Sequence, residues 1–155
     1  MQFFTRQNFD LFQVHDPSSE IDYMKWYHQT QWGIAGRDYE TYLNSISLRL
    51  SDNAIRVAKL LIHDFKVLDI ASVEDGIRLK LGSPWKKPWF TTGYILNFQG
   101  EVMSTSNAVG QGIIVHELSI SDSNDSYGLR FDALLDRTEL AIRFREVLVE
   151  DWAQS

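Results

Sequence analysis

The sequence predicts an α+β fold: about four N-terminal helices packed on a C-terminal antiparallel β-meander of five to seven strands. Two observations carry that prediction. Up to about residue 62 the apolar residues recur at helical spacing, the period of a helix with one buried face. Beyond that point they alternate, as in Ile77-Arg78-Leu79-Lys80-Leu81 and Leu140-Ala141-Ile142-Arg143-Phe144, which is the period of a half-buried antiparallel strand. No linker or repeat separates the halves. Residues 1–62 are therefore read as the helical part, and 63–155 as the sheet part, of one domain spanning 1–155.

The helices follow from caps and stripes. Thr5 can cap a helix over Arg6 to Gln13, with Phe9 and Phe12 on one face. Asp16-Pro17-Ser18-Ser19-Glu20 is a break followed by a start signal. A second helix then carries Ile21, Met24, Tyr27 and Gln31, broadened by Tyr23, Trp26 and Trp32. Gly33 and Gly36 interrupt that pattern. Asp38 can cap a third helix with Tyr39, Tyr42, Leu43, Ile46 and Leu50, and Ser51 or Asp52 a fourth with Ile55, Ala58, Leu61 and Ile62.

Strands are expected over Asp64–Ser72 and Gly76–Leu81, joined by a tight Glu74-Asp75-Gly76 turn in which the glycine supplies a positive φ. Tyr94–Phe98, ended by Gln99-Gly100, and Gly112–Ser121 follow, with Glu101–Gln111 a loop or irregular edge. Asp122 to Ser126 is a turn by composition. Tyr127–Leu135 and Thr138–Val149 form the last hairpin around Asp136-Arg137. Consecutive hairpins imply a meander, as an open curved sheet or a small sandwich, with the helices over one face.

Composition removes several function classes. The absence of cysteine excludes disulfides, thiolate metal sites and cysteine nucleophiles. The start lacks the basic and apolar regions of a signal peptide, and no apolar run could span a bilayer, so a cytoplasmic protein without membrane association is expected. A net charge of −6 argues against nucleic acid and favours steering toward basic partners. Gly110-Gln111-Gly112 lacks the spacing of a phosphate-cradling loop, and no nucleophile elbow is present. No cofactor or metal is expected.

Two His-acid dipeptides form the candidate polar site: His63-Asp64 at the helix-to-sheet junction and His116-Glu117 inside a strand. Histidine and carboxylate serve metal sites and general acid–base pairs. Neighbours in a strand point to opposite faces, so each dipeptide can send one member to a shared site. The alternative is that His63 closes a helix C-terminus and the others are ordinary strand residues. A candidate binding loop holds Trp85, Lys86, Lys87 and Trp89, where rings could stack on bases or sugars, or could pin a proline-fixed loop to the core. The helical aromatics Phe9, Phe12, Tyr23, Trp26, Tyr27, Trp32, Tyr39 and Tyr42 read as core, with a ligand-lining cleft as the alternative. The alternating end Arg143 to Trp152 is a solvated strand face or an exposed edge for partner addition.

Phe3-Phe4-Thr5-Arg6, Ile62-His63-Asp64-Phe65-Lys66-Val67-Leu68, Val115-His116-Glu117-Leu118 and the ending Leu140 to Glu150 resemble an uncharacterised bacterial family, a domain of unknown function with a helical N-terminal part and an antiparallel sheet. Gln7-Asn8-Phe9 departs from the more acidic and aromatic run of that family. The sheet half is loosely similar to toxin-immunity proteins. The resemblance implies no catalytic residues and places His63, Asp64, His116 and Glu117 in the stretches where members look alike. Together these readings favour a non-enzymatic cytoplasmic module that binds another protein, of which an immunity protein for a toxin is the concrete version. The alternative is a small-molecule- or metal-binding protein or hydrolase using His63/Asp64 and His116/Glu117.

Overall fold

The computed structural model describes residues 1–13, 26–27, 29–84, 93–100, 102–103, 107–121 and 128–152. It is α+β, with antiparallel ladders throughout the described strands. Three α-helices are bounded among the described residues, not about four: α1 (Arg6–Gln13), α2 (Gln31–Ile46) and α3 (Asp52–Ala58). Trp26, Tyr27 and Gln29 are also helical, while the expected start of that segment lies outside the described residues, as does the 122–126 turn.

The caps at Thr5 and Ser51 are as expected. Thr5 Oγ1 accepts the Asn8 N–H at 3.2 Å, and Ser51 Oγ accepts that of Ala54 at 3.3 Å. The start of α2 is not. Its cap is Thr30, whose Oγ1 accepts the Gly33 N–H at 3.2 Å, so Gly33 and Gly36 lie inside the helix and Asp38 starts nothing. Each interior glycine costs about 1 kcal/mol relative to alanine. Burial of Trp32, Ala35 and Tyr39 on one stripe offsets that cost, since each large apolar side chain removed from water is worth about 1.5–3 kcal/mol.

Seven strands of six residues or more, and a two-residue eighth, form two four-stranded sheets. The first has the order β1-β2-β3-β8, from β1 (Lys66–Val73), β2 (Gly76–Gly82), β3 (Gly93–Gln99) and β8 (Glu146–Trp152). The second has the order β4-β7-β6-β5, from β4 (Val102–Met103), β7 (Glu139–Phe144), β6 (Leu129–Leu135) and β5 (Ile113–Ile120). This corrects the meander, because β3 pairs with β8 and β4 with β7, strands distant in sequence. The expected last strand Thr138–Val149 is divided between the two sheets at Arg145. Its ladder runs on in one register, Gln99 opposite Glu146 and Val102 opposite Arg143, so two long strands bend together from one sheet into the other. Gly100 permits the bend: its φ is +59°, and a Cβ there would collide with the Arg145 guanidinium. The β1–β2 turn consists of Glu74 and Asp75 alone. Gly76 is the first residue of β2, opposite Val73, and is not among the positive-φ glycines.

The sheets face each other around one core. Phe98 of the first sheet meets Phe131 and Phe144 of the second, with ring centroids 5.4 and 4.9 Å apart. Ala54, Val57 and Ala58 of α3 join this core. A seam links the sheets where Asp64 N–H donates to the Ile113 carbonyl at 2.7 Å, Ile113 N–H to Phe65 at 2.8 Å, and Val67 N–H to Gln111 at 2.9 Å. Helices and the segment Met1–Phe4 cover the outer face of the second sheet, where Phe4, Trp32, Ala35, Tyr39 and Leu134 make a second cluster.

Sheet edges are closed by side chains. Tyr39 Oη accepts the Leu118 N–H at 2.6 Å, and Tyr42 Oη accepts that of Ile120 at 2.8 Å, so α2 caps the edge of β5. Arg56 Nη1 donates to the Val149 carbonyl of β8 at 3.1 Å. Burial pushes the Tyr39 phenol up, so its hydroxyl stays protonated at any ordinary pH. Tyr39→Phe leaves a buried N–H without its acceptor. It should cost about 1–3 kcal/mol in urea unfolding and speed amide exchange more at Leu118 than at Leu79.

Candidate functional site

The candidate polar site does not assemble. His63 and Asp64 stand on the surface before β1, each about two-thirds exposed, with Nε2 and Oδ2 3.9 Å apart. Asp64 has a φ of +67°, and its backbone rather than its carboxylate is used, in the seam to β5.

His116 points the other way from Glu117, as strand alternation requires. Its ring lies in the core, 5.7 Å from that of Phe131, and Nε2 donates to the Val57 carbonyl at 2.9 Å. A carbonyl only accepts, so the proton sits on Nε2. Burial pulls the pKa of His116 down to about 4, against a partial opposing effect of the Val57 bond. This is a neutral structural histidine tying α3 to β5.

Glu117 is 1% exposed and lies directly opposite Asp132, which is 3% exposed. Two buried carboxylates side by side are costly unless donors surround them. The donors come from the first residues of the chain. Glu117 accepts the backbone N–H groups of Gln2, Phe3 and Phe4, the last two at 3.0 and 3.2 Å. The α-amino group of Met1 is 3.5 Å from Asp132 and 4.0 Å from Glu117. Arg130 closes the set with a fork, Nε and Nη2 to the two Asp132 oxygens at 2.7 and 2.8 Å, and that bond holds the guanidinium pKa above its ordinary value.

Trp85, Lys86, Lys87 and Trp89 lie outside the described residues. Of the aromatic stripe, Phe9, Trp32 and Tyr39 pack as core: Phe4 and Phe9 rings lie 5.1 and 5.5 Å from Trp32, and Phe3 lies 5.5 Å from Tyr39, while Tyr23 and the Phe12 side chain lie outside the described residues. Among the described residues, no group of three or more His, Asp or Glu side chains could hold a metal ion. No helix among them is long and apolar enough to cross a membrane.

Two surfaces remain. One is a cleft of about 260 Å³ beside the Glu117–Asp132 pair, lined by Ser119, Arg130 and Arg143. Sequence reasoning missed it, although Arg130 and Asp132, and Ala141 and Arg143, stand two apart on their strands and so share a face. The other is the outer face of the first sheet. Register places Asp69, Lys80, Ile95 and Glu150 in one cross-strand row and Ala71, Arg78, Asn97 and Leu148 in the next. Val73 and Leu148 are 40% and 44% exposed there. Local pairs hold the charges: Arg78 lies 4.0 Å from Asp69, Asn97 donates to Glu150 at 3.1 Å, and the Lys80 ammonium sits 4.2 Å from the centre of a Trp152 ring.

No protein-family model, curated protein or solved structure matches the chain.

Two stability predictions follow from the buried groups. The unfolded chain protonates His116 near 6.5 and the folded chain only near 4, so between these values the unfolded state binds more protons. Stability is therefore full above pH 6.5, falls as the pH drops through that window, and is lower by about 3 kcal/mol below it. His116→Gln, which keeps a donor for Val57, should flatten that part of the urea-unfolding profile between pH 7 and 4. Glu117→Ala should cost about 3–5 kcal/mol by orphaning three N–H groups and the positive charges beside them, whereas His63→Ala should stay within about 0.5 kcal/mol.

Proposed function

We propose that this chain is a non-enzymatic module that binds another protein through the outer face of β1-β2-β3-β8. One contrast carries the reading. The outer face of the second sheet is buried under Met1–Phe4 and α2, while on the outer face of the first Val73 and Leu148 are 40% and 44% exposed and Trp152 lies over Lys80. That open face mixes Ala71, Val73, Ile95 and Leu148 with charged neighbours, the composition of a protein-binding patch with a polar rim.

The hydrolase alternative loses its basis in geometry. His63 and Asp64 are at the surface, His116 is in the core, and Glu117 is saturated by backbone donors. The acidic balance, with Glu146, Glu150 and Asp151 along β8 and Glu74 and Asp75 at the nearby turn, suits a basic partner. An immunity protein neutralising a basic toxin such as a nuclease is the concrete form of this proposal.

The test starts from affinity-tagged chain recovered from its native cells, with the bound protein identified and remade in pure form. Its association rate should fall steeply as salt rises. Leu148→Arg should weaken the complex by about 30-fold or more, while thermal stability changes by less than about 2 °C and His116→Gln leaves binding intact. A complex indifferent to both salt and Leu148→Arg would refute the assignment of this face.

A further inference from the structure

A second, separate site lies on the opposite sheet. Ser119, Arg130 and Arg143 stand in one cross-strand row of β5, β6 and β7, opposite one another in register and facing the same side. All three carry hydrogen-bond donors, and Arg143 already has a partner within the chain. The row forms the wall of the cleft of about 260 Å³, which Asp132, Met1 and Gln2 complete.

The bookkeeping of donors and acceptors sets the chemistry of what could bind. Asp132, the carboxylate of the cleft, already accepts two bonds from Arg130 and faces the Met1 amino group. Arg130 spends Nε and one N–H of Nη2 on that fork, so Nη1 and the second Nη2 hydrogen are left on its outer edge, and its side chain is 42% exposed. Arg143, which also interacts within the chain, brings a second guanidinium. Glu117 and Glu139 also act on the Arg130 charge, so the row is not a bare pair of cations. Guanidinium groups are the preferred partners of planar or tetrahedral oxyanions. The fork to Asp132 holds one of the two in place before any ligand arrives, which lowers the ordering cost of binding. The hydroxyl of the nearly buried Ser119 adds a neutral donor at the base.

From this we propose that the Ser119–Arg130–Arg143 cleft binds a compact oxyanion, a phosphate or a small polycarboxylate. Nothing in the inference depends on the protein-binding reading of the other sheet.

The experiment is an amide NMR titration of the full chain with inorganic phosphate and, separately, with succinate, each against sodium chloride at matched ionic strength. Saturable shifts at Ser119, Arg130 and Arg143 are expected with a dissociation constant of about 10 mM or tighter. Saturation by phosphate alone identifies a tetrahedral anion as the ligand, and saturation by succinate alone a carboxylate. Arg143→Gln should weaken the interaction by about tenfold or more, with thermal stability measured in chloride alongside to separate loss of binding from loss of its intrachain contact. Ser119→Ala, a second variant that leaves both guanidiniums in place, should weaken it by a smaller factor. The proposal is overturned if neither anion produces shifts beyond those of chloride, or if both variants titrate like the native chain.

Discussion

Two carboxylates, Glu117 and Asp132, lie side by side on adjacent strands, and both are buried. Left alone, that pair would repel and would pay a large desolvation penalty. The structure resolves it by bringing the N-terminal segment across the outer face of the sheet, so that backbone donors of Gln2, Phe3 and Phe4 converge on Glu117 while Arg130 engages Asp132. Once Met1–Phe4 is docked, Phe3 and Phe4 present their rings to Tyr39 and Trp32. The aromatic cluster that seats α2 therefore rests on the same electrostatic requirement. Seating α2 in turn places Tyr39 and Tyr42 at the edge of β5, where their hydroxyls accept the outward N–H groups.

The β part is organised around the same need to satisfy backbone groups. Two long strands bend together at Gly100 and Arg145, which lets one ladder serve both sheets. The seam between residues 64–67 and 110–113 ties the sheets on the other side. His116 and Arg56 then connect α3 to both, through the Val57 and Val149 carbonyls. A helix that contributes three small side chains to the core thus also closes polar groups at two strands. The histidine that looked like a candidate catalyst is explained by that role, and its low pKa reports burial rather than chemistry.

The two outer sheet faces consequently differ in kind. One is covered and charged within, with a small donor-rich cleft beside its buried acids. The other is more exposed, with apolar residues set among an ion pair, a hydrogen bond and a cation–π contact. A covered face stabilises, and an open one is available to a partner. This asymmetry, more than any single residue, directs the functional reading toward binding.

What the sequence determined by itself is local. The alternation of β2 and β7, the caps at Thr5 and Ser51, and the turns at Glu74-Asp75 and Asp136-Arg137 depend on residues a few positions apart, so periodicity and cap chemistry expose them. The α+β class followed from that change of period. The tertiary structure alone decided the rest. Gly33 and Gly36 were overruled because a distant aromatic surface made helix burial worth their cost. The meander gave way to β3–β8 and β4–β7 pairing because strand order is set by which edges satisfy one another, a property without local signature. Glu117 reads as a candidate site carboxylate or an ordinary strand residue until partners 113 to 115 positions away arrive at its oxygens. Burial and hydrogen bonding at that separation are properties of the folded surface, and only the folded chain could show that the His-acid dipeptides part company while Arg130 and Arg143 come to share one cross-strand row.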